Sequence, residues 1–226
     1  MCTVTYIPIS KNSFILTSSR DVPFIRKKAL FPKRYLDKNV EIVYPKDKKA
    51  GGTWIGYSSK KRLICLLNGG FENHYSTIKS NTKYRKSRGL IVLDLLKENE
   101  INTALSKIDL NQIEPFTLVI VDWNEKLNLM EFVWDGKTKH IKKLKQKNYI
   151  WSSATLYDND MKKLRNDWFF KTEVYDLKSI LNFHHTAGVG NFNVGIMMKR
   201  EKVGTVSITQ VCKKTDSITM NYEEMN

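Results

Sequence analysis

The residues best suited to chemistry stand at the start of the sequence. Cys2 opens a strand-like run that ends at Ile9, and a second β-type run begins at Phe14 after a short polar loop. The two runs predict a hairpin in which Ile9 faces Phe14. In that register Cys2 lies directly opposite Asp21, and Arg20 is its neighbour. The hairpin would therefore bring together a thiol, a carboxylate and a guanidinium.

Removal of Met1 would give Cys2 both a thiol and a free α-amine. An α-amine titrates at about 7.7–8.0 and a free thiol at about 8.5, so the amine can accept the thiol proton near neutral pH. Arg20 would favour the thiolate, and Asp21 would hold the ammonium form. The alternative is that Cys2 is a small residue at an ordinary chain start and that Arg20 and Asp21 form a solvated strand end. Spacing alone favours this alternative.

A second hairpin is predicted from the β-type runs at residues 53–57 and 62–67. It would bring two glycine pairs, Gly51-Gly52 and Gly69-Gly70, to the same end of a sheet, beside Asn68. Backbone without side chains lets a ligand approach closely, so the glycines are candidate ligand contacts. Two ordinary turns explain the glycines equally well.

The order of the patterns predicts the fold class. Strands come in hairpins at both ends of the chain and amphipathic helices lie between them, which favours an α+β fold with antiparallel sheets. A sandwich of two sheets flanked by helices is the natural packing. The chain of 226 residues shows no repeat or proline-rich linker, so a single domain over residues 1–226 is expected.

The charge predicts an anionic partner. The formal net charge is +15 at pH 7, which makes the surface attractive to anions. Two clusters carry much of the excess: Lys79, Lys83, Arg85, Lys86 and Arg88 with Tyr75 and Tyr84 between or beside them, and six lysines from Lys137 to Lys147. Tyrosines among cations could also stack bases, but no nucleic-acid-binding signature is present. A solvated lysine-rich surface is preferred to specific nucleic-acid binding.

The spacing of the cysteines and histidines and the lack of a long apolar run disfavour several other classes of protein. The three cysteines have no CxxC spacing and the four histidines no ligand spacing, so neither a disulfide framework, a structural metal nor a cofactor is expected. The adjacent His184 and His185 are predicted to be a surface pair in a loop. No apolar run reaches the roughly 18 residues of a membrane span, and no secretory signal is evident, so a cytoplasmic location is expected. The oligomeric state is left open.

Several motifs together resemble a known family. They are Met1-Cys2, Ser18-Ser19-Arg20-Asp21, Gly51-Gly52-Thr53-Trp54-Ile55-Gly56, Leu67-Asn68, Ser87-Arg88-Gly89 and Phe116-Thr117-Leu118. This combination resembles the NRDE family, which includes transport and Golgi organisation protein 2. The Asn-Arg-Asp-Glu that names the family reads Ser19-Arg20-Asp21-Val22 here. The resemblance implies the N-terminal-nucleophile hydrolase fold, a four-layer α-β-β-α sandwich of antiparallel sheets.

The resemblance also implies roles for individual residues. In related cysteine amidohydrolases an Asn after the second hairpin helps to form the oxyanion hole, and Asn68 occupies the similar position. Ser153 stands where a second Asn is expected, and a later Arg has only the loose candidates Arg200 and Lys202. The implied catalytic set is Cys2, Arg20, Asp21, Asn68 and Ser153. The implied substrate-binding set is Trp54, Gly69, Gly70 and Arg88.

Three classes of function remain open. The first is hydrolysis of an amide or thioester with Cys2 as the nucleophile. The second is non-enzymatic carriage of haem or another amphipathic anion, in which Arg88 would meet haem propionates by charge-assisted bonds. The third is nucleic-acid binding. A small anionic or amphipathic ligand is the expected partner in the first two.

Overall fold

The computed structural model describes residues 2–74 and 83–225, so Met1 and the basic-cluster residues Tyr75 and Lys79 lie outside the described residues. The chain divides into two compact units. The first is built from Met1–Arg26 and Gln146–Asn226, and the second from Lys27–Lys145. The single domain over residues 1–226 stays a prediction.

The elements follow one another in the order β1 (Cys2–Ser10), β2 (Ser13–Pro23), β3 (Leu30–Asp37), β4 (Val40–Lys46), β5 (Ile55–Ser58), β6 (Arg62–Asn68), α1 (Arg88–Lys97), α2 (Ile101–Lys107), β7 (Phe116–Asp122), β8 (Asn128–Trp134), β9 (Lys139–Leu144), β10 (Tyr149–Ser152), α3 (Asn159–Phe170), α4 (Leu177–Thr186), β11 (Val203–Lys213) and β12 (Ile218–Glu224). Each unit has one antiparallel sheet and two of the helices. The predicted α+β class with antiparallel sheets is therefore confirmed.

The sheet of the first unit has the strand order β10-β1-β2-β11-β12. Its β1–β2 hairpin forms as predicted, but the register differs by one residue. Ser10 pairs with Ser13 and Pro8 with Phe14, so Ile9 is an extra residue in β1, a β-bulge. Cys2 consequently pairs with Arg20 and not with Asp21. Because side chains alternate across a strand, Cys2 and Arg20 share one face and Asp21 belongs to the other.

Helices α3 and α4 form where amphipathic helices were predicted, and each begins at an aspartate cap. The Asp158 carboxylate accepts the backbone N–H of Met161 at 2.8 Å, and Asp176 caps α4 in the same way. Leu164 and Leu177 are 38% exposed, whereas Phe169, Ile180 and Phe183 are buried. These three pack in one core cluster of this unit with Ile7, Ile15, Ile196 and Cys212.

The sheet of the second unit has the strand order β3-β4-β5-β6-β7-β8-β9. Helix α1 contacts β5 and β6, with Ile91, Val92, Leu95 and Leu96 buried. The β5–β6 hairpin has a loop one residue shorter than the predicted runs leave, since Ser58 belongs to β5 and pairs with Arg62. Lys61 adopts a φ of 53°, the left-handed conformation that closes a short hairpin loop. In the described part of the chain, no helix combines the length and apolar character that crossing a bilayer requires.

Candidate functional site

Cys2 is the first described residue and the first residue of β1. Its side chain is fully buried, and its backbone carbonyl accepts the N–H of Ser153 at 3.0 Å. Ser153 follows the end of β10, is itself buried, and shares a hydrogen bond with the hydroxyl of Thr155 at 3.0 Å. The first unit therefore places Cys2 between Arg20 on β2 and Ser153 beyond β10, which brings three of the sequence-predicted residues together.

Asp21 lies on the opposite face of the same sheet and has two hydroxyl donors. Tyr157 donates to Oδ2 at 2.8 Å, and Thr205 donates to Oδ1 at 2.7 Å. Burial raises the pKa of Asp21 above its ordinary value, while the nearby Arg165 cation and the two hydroxyl donors act in the other direction. The carboxylate is thus held in one orientation, directly after Arg20 in the chain.

A buried guanidinium supports this face of the sheet. Arg165 is fully buried, and its Cζ lies 3.5 Å from the centroid of the Tyr157 ring. Its nitrogens donate to the Thr3 hydroxyl at 2.6 Å, to the Val194 carbonyl at 2.7 Å and to the Gly195 carbonyl at 2.6 Å. Arg165 therefore links β1 to the loop before β11 and stacks on the tyrosine that holds Asp21. Sequence reasoning missed this residue, although Arg165 stands four residues after Met161 and three before Trp168, at the helical spacing of one face.

His184 corrects the prediction of a surface pair. Both histidines lie in the last turn of α4, and His184 is fully buried. Its Nδ1 lies 2.7 Å from the Ser19 hydroxyl, and its Nε2 lies 2.9 Å from the Thr5 hydroxyl. Burial lowers the pKa of His184 to about 3, with smaller contributions from the Arg165 cation and from His185. The signal was present in the sequence, since residue 184 follows Ile180 at the helical spacing of a buried face.

The lowered pKa of His184 predicts acid-sensitive stability. The unfolded state takes up a proton as the pH falls below about 6.5, whereas the folded state stays neutral down to about 3. The folded state therefore keeps its full stability above that pH range and loses stability as the pH falls through it, by on the order of 5 kcal/mol. Chemical unfolding at graded pH measures this loss. A His184→Gln variant keeps a donor and an acceptor but cannot titrate, so its stability should fall less; an equal fall would contradict the assignment.

Three buried hydroxyls accompany Cys2 and Arg20 on their face of the sheet. Ser207 pairs with Arg20, and Thr209 with Ser18, across β2 and β11. The side-chain oxygens of Ser18, Ser207 and Thr209 are buried and make no hydrogen bond within residues 2–74 and 83–225. Buried polar groups are normally satisfied by protein, water or ligand. This face therefore offers hydrogen-bonding groups on the same side of the sheet as the thiol. Ser18 belongs to a motif of the family resemblance, but no role was predicted for it, and no motif indicated Ser207 or Thr209.

The remaining candidates lie in the second unit. Asn68 ends β6, and Gly69, with a φ of 87°, donates its N–H to the Pro115 carbonyl at 3.0 Å. A positive φ suits glycine, so Gly69 is required by the turn itself. Gly70 packs against Asp135, whose Cα would lie 3.1 Å from an added Cβ. Trp54 is buried, and its carbonyl accepts the Leu66 N–H at 2.7 Å.

The first glycine pair makes a contact within the protein. A Cβ added to Gly52 would lie 2.3 Å from the carbonyl carbon of Gly89, and one added to Gly89 would lie 2.8 Å from the Thr53 carbonyl oxygen. Thr53 also donates its N–H to the Gly89 carbonyl at 3.1 Å. The expectation that this pair opens the backbone to a ligand is therefore wrong for Gly52, which makes room for the first turn of α1.

Arg88 is the first residue of α1. Its Nη1 donates to the Pro115 carbonyl at 3.0 Å, the same oxygen that accepts the Gly69 N–H. Its Nη2 lies 3.0 Å from a carboxylate oxygen of Glu114. The guanidinium is thus already paired with an anion, and its role towards a substrate stays a prediction. Among the described residues no group of three or more His, Cys, Asp or Glu could hold a metal ion.

Comparison with known families identifies the chain. A family model described as "Transport and Golgi organisation 2" matches residues 1–182, most of the sequence. The chain belongs to the transport and Golgi organisation 2 family. The resemblance to the NRDE family is thereby confirmed, although no curated protein matches the chain in sequence.

Solved structures show the fold of this family member. An N-acylethanolamine-hydrolyzing acid amidase ortholog from Caenorhabditis elegans is similar with a TM-score of 0.64 and 16% identity over 92% of each chain. A mutant conjugated bile acid hydrolase from Clostridium perfringens gives 0.51 and 9% identity over 100% of this chain and 92% of that one. Penicillin V acylase from Agrobacterium tumefaciens gives 0.50 and 11% over 100% and 86%. The N-terminal-nucleophile hydrolase fold is confirmed.

Proposed function

We propose that this protein hydrolyses an amide or thioester bond with Cys2 as an N-terminal nucleophile. The observation that carries the proposal is the pairing of Cys2 with Arg20 at the beginning of β1, in a chain with the N-terminal-nucleophile hydrolase fold. The pairing puts Cys2 and Arg20 on one face of the sheet, so positive charge is available on the side where the sulfur would react. Two of the similar structures are described as an acid amidase and an acylase, and these descriptions agree with the proposed reaction class.

The proposed reaction begins with removal of Met1. The free α-amine of Cys2 takes the thiol proton, and the sulfur attacks the carbonyl carbon of the substrate. The carbon–nitrogen or carbon–sulfur bond breaks, the ammonium returns its proton to the leaving amine or thiol, and an acyl thioester remains on Cys2. Water then attacks this thioester, releases the carboxylic acid and restores the thiol.

The other residues have proposed roles around this cycle. Arg20 stabilises the thiolate, and Ser153 fixes the Cys2 carbonyl through its backbone N–H. Asp21, held by Tyr157 and Thr205, balances the positive charge that develops on the amine. The oxyanion role of Asn68 rests on the family resemblance, and so do the substrate-binding roles of Trp54, Gly69, Gly70 and Arg88.

Intact-mass measurement of the purified protein tests the proposal. The mature chain is expected to lack Met1, and incubation with p-nitrophenyl acetate is expected to add one acetyl group to the peptide that begins with Cys2. A Cys2→Ser variant controls for acetylation of surface lysines. A chain that retains Met1 and gains no acetyl group on Cys2 would contradict the hydrolase proposal and leave carriage of haem or another amphipathic anion as the function to test.

A further inference from the structure

The edges of the two sheets differ in how they are protected against pairing with another strand. Strands β3, β9, β10 and β12 stand at the ends of the described sheets. Strand β3 contains Pro32 and an irregular register, β9 carries lysines at positions 139, 142 and 143, and β10 has only four residues. Proline, irregularity, lysine and shortness are the usual devices that keep strand edges apart.

Strand β12 carries none of these devices. It has seven residues, Ile218–Glu224, without proline or lysine, and it pairs with β11 in a continuous register without a bulge. Its two charged residues, Glu223 and Glu224, are its last. A regular edge of this length is a ready template for a further strand.

The register of β12 shows which of its backbone groups point outwards. Met225 directly follows the strand and donates its N–H to the Val206 carbonyl at 2.9 Å, in line with the pairing of β11 and β12. In an antiparallel pair, residues that exchange such bonds alternate with residues whose N–H and C=O groups point away. The residues whose backbone groups point away from β11 are therefore Ile218, Met220, Tyr222 and Glu224. No described strand pairs with β12 on that side.

We propose that β12 pairs antiparallel with β12 of a second copy of this chain. A two-fold axis at Asn221, the middle residue of the strand, places Met220 opposite Tyr222 of the second copy and Ile218 opposite Glu224. In this register every residue with outward backbone groups meets another such residue, so the two strands exchange hydrogen bonds along their whole length. The two five-stranded sheets become one continuous sheet. The inference is independent of any chemistry at Cys2.

The side chains of β12 are self-complementary in this register. Met220 and Tyr222 share one face of the sheet and are half-buried, and their contact across the axis joins a thioether to an aromatic ring, which is a favourable pair. On the other face Thr219 lies opposite Glu223 of the second copy, and Asn221 lies opposite its own copy. The ladder therefore contains no like charges directly opposite each other, which would destabilise it.

The charges near the ends of the strand also favour a second copy. Glu223, whose carboxylate lies 2.8 Å from His185, and Glu224 end the strand. Residues 213–216, in the turn between β11 and β12, contain two lysines and one aspartate. The two-fold axis brings the carboxylates of each copy towards this turn of the other copy. Acidic groups therefore approach a turn of net positive charge and not each other.

Sedimentation equilibrium of the full chain tests the inference. A weak dimer is expected, with a dissociation constant on the order of 10–100 µM, because two strands bury less than the roughly 1,600 Å² of a standard interface. The net charge of +15 weakens association further. Loading concentrations on both sides of this range measure the dissociation constant.

A Met220→Pro variant tests whether the backbone of β12 makes the contact. Proline removes an N–H that points away from β11, so the sheet of each copy keeps its own hydrogen bonds. Two symmetry-related bonds between the copies are lost. A Met220→Ala variant truncates the same side chain but keeps the N–H, and it is the matched control. The proline variant should dissociate roughly tenfold or more beyond the alanine variant.

Disulfide trapping tests the register. Asn221 is exposed and faces its own copy as a pair without hydrogen bonds, with Cα atoms roughly 4.5 Å apart, within the range of a disulfide. An Asn221→Cys variant should therefore form a covalent dimer in oxidised glutathione. Thr219 is exposed on the same face, but its copy lies four residues along the partner strand, roughly 14 Å away. A Thr219→Cys variant should stay uncrosslinked, and the native cysteines are buried.

The outcomes separate the alternatives. A chain that stays monomeric across the concentration range and is not trapped by Asn221→Cys would reject the second copy as the partner of β12. A dimer that tolerates Met220→Pro as well as Met220→Ala would be formed by another surface and would overturn the inference. Equal trapping of the two cysteine variants would show random collision, and preferential trapping of Thr219→Cys would overturn the register. Circular dichroism of each variant checks that the fold is intact.

Discussion

A Cys2→Ser variant is expected to hydrolyse p-nitrophenyl acetate at least ~10³-fold more slowly than the native chain, because a neutral hydroxyl is a far weaker nucleophile than a thiolate. A serine hydroxyl fits the same buried position opposite Arg20, so the fold should survive. Its proton is held far more tightly than that of a thiol, so the α-amine converts it to the anion far less readily. Initial rates of nitrophenolate release measure the effect.

Cys212→Ala provides the matched control for this substitution. Cys212 is another buried thiol of the first unit, and burial raises the pKa of Cys212, which makes it a poor nucleophile. The variant should keep the native rate per folded molecule. If the Cys2→Ser variant retained the rate while the Cys212→Ala variant lost it, the nucleophile would have been assigned to the wrong cysteine.

An Arg165→Met variant is expected to lose about 3–5 kcal/mol of unfolding free energy, since removal of one partner from a buried charged network is strongly destabilising. The guanidinium donates to Thr3 and to two backbone carbonyls, and methionine can satisfy none of them. Tyr157 would also lose the cation stacked on its ring. Urea unfolding at neutral pH measures the change.

A Lys163→Met variant removes an exposed cation from the same helix and is expected to change stability by less than about 0.5 kcal/mol. If both variants had the same stability, the network around Arg165 would contribute nothing beyond ordinary surface charge. If the Arg165→Met variant were as stable as the native chain, this result would also contradict the role given to Arg165 in holding Tyr157 and, through it, Asp21.

Local patterns predicted the hairpins and helices because strand alternation and helical spacing are properties of short segments. The sequence did not predict which residue pairs with which between neighbouring strands. The extra residue at Ile9 shifts every later pair of the first hairpin, so that Arg20 and not Asp21 faces Cys2. A bulge depends on how a strand packs and twists within its sheet, and no residue type at Ile9 signals it.

Buried polar residues were the hardest to predict from the sequence. His184 was predicted to lie in a surface pair and Arg165 was not singled out at all, but hydroxyls of β1 and β2 and two loop carbonyls satisfy them in the interior. Those partners are far away in the chain, and only the fold brings them close. Gly52 is a similar case, since its role depends on the approach of Gly89. The family resemblance indicated Cys2 and Arg20 as candidate site residues, but it did not indicate the hydrogen bonds that Arg165 and His184 make in the interior.

The sheet of the first unit joins distant parts of the chain, and this sets when the proposed removal of Met1 can take place. Strands β1 and β2 are made before the second unit, but their neighbours β10 and β11 are made only after it. During synthesis the β1–β2 hairpin therefore has both edges unpaired, and two strands alone are marginally stable in water. The proposed removal of Met1 belongs to that interval, on the nascent chain, because completion of the sheet buries Cys2.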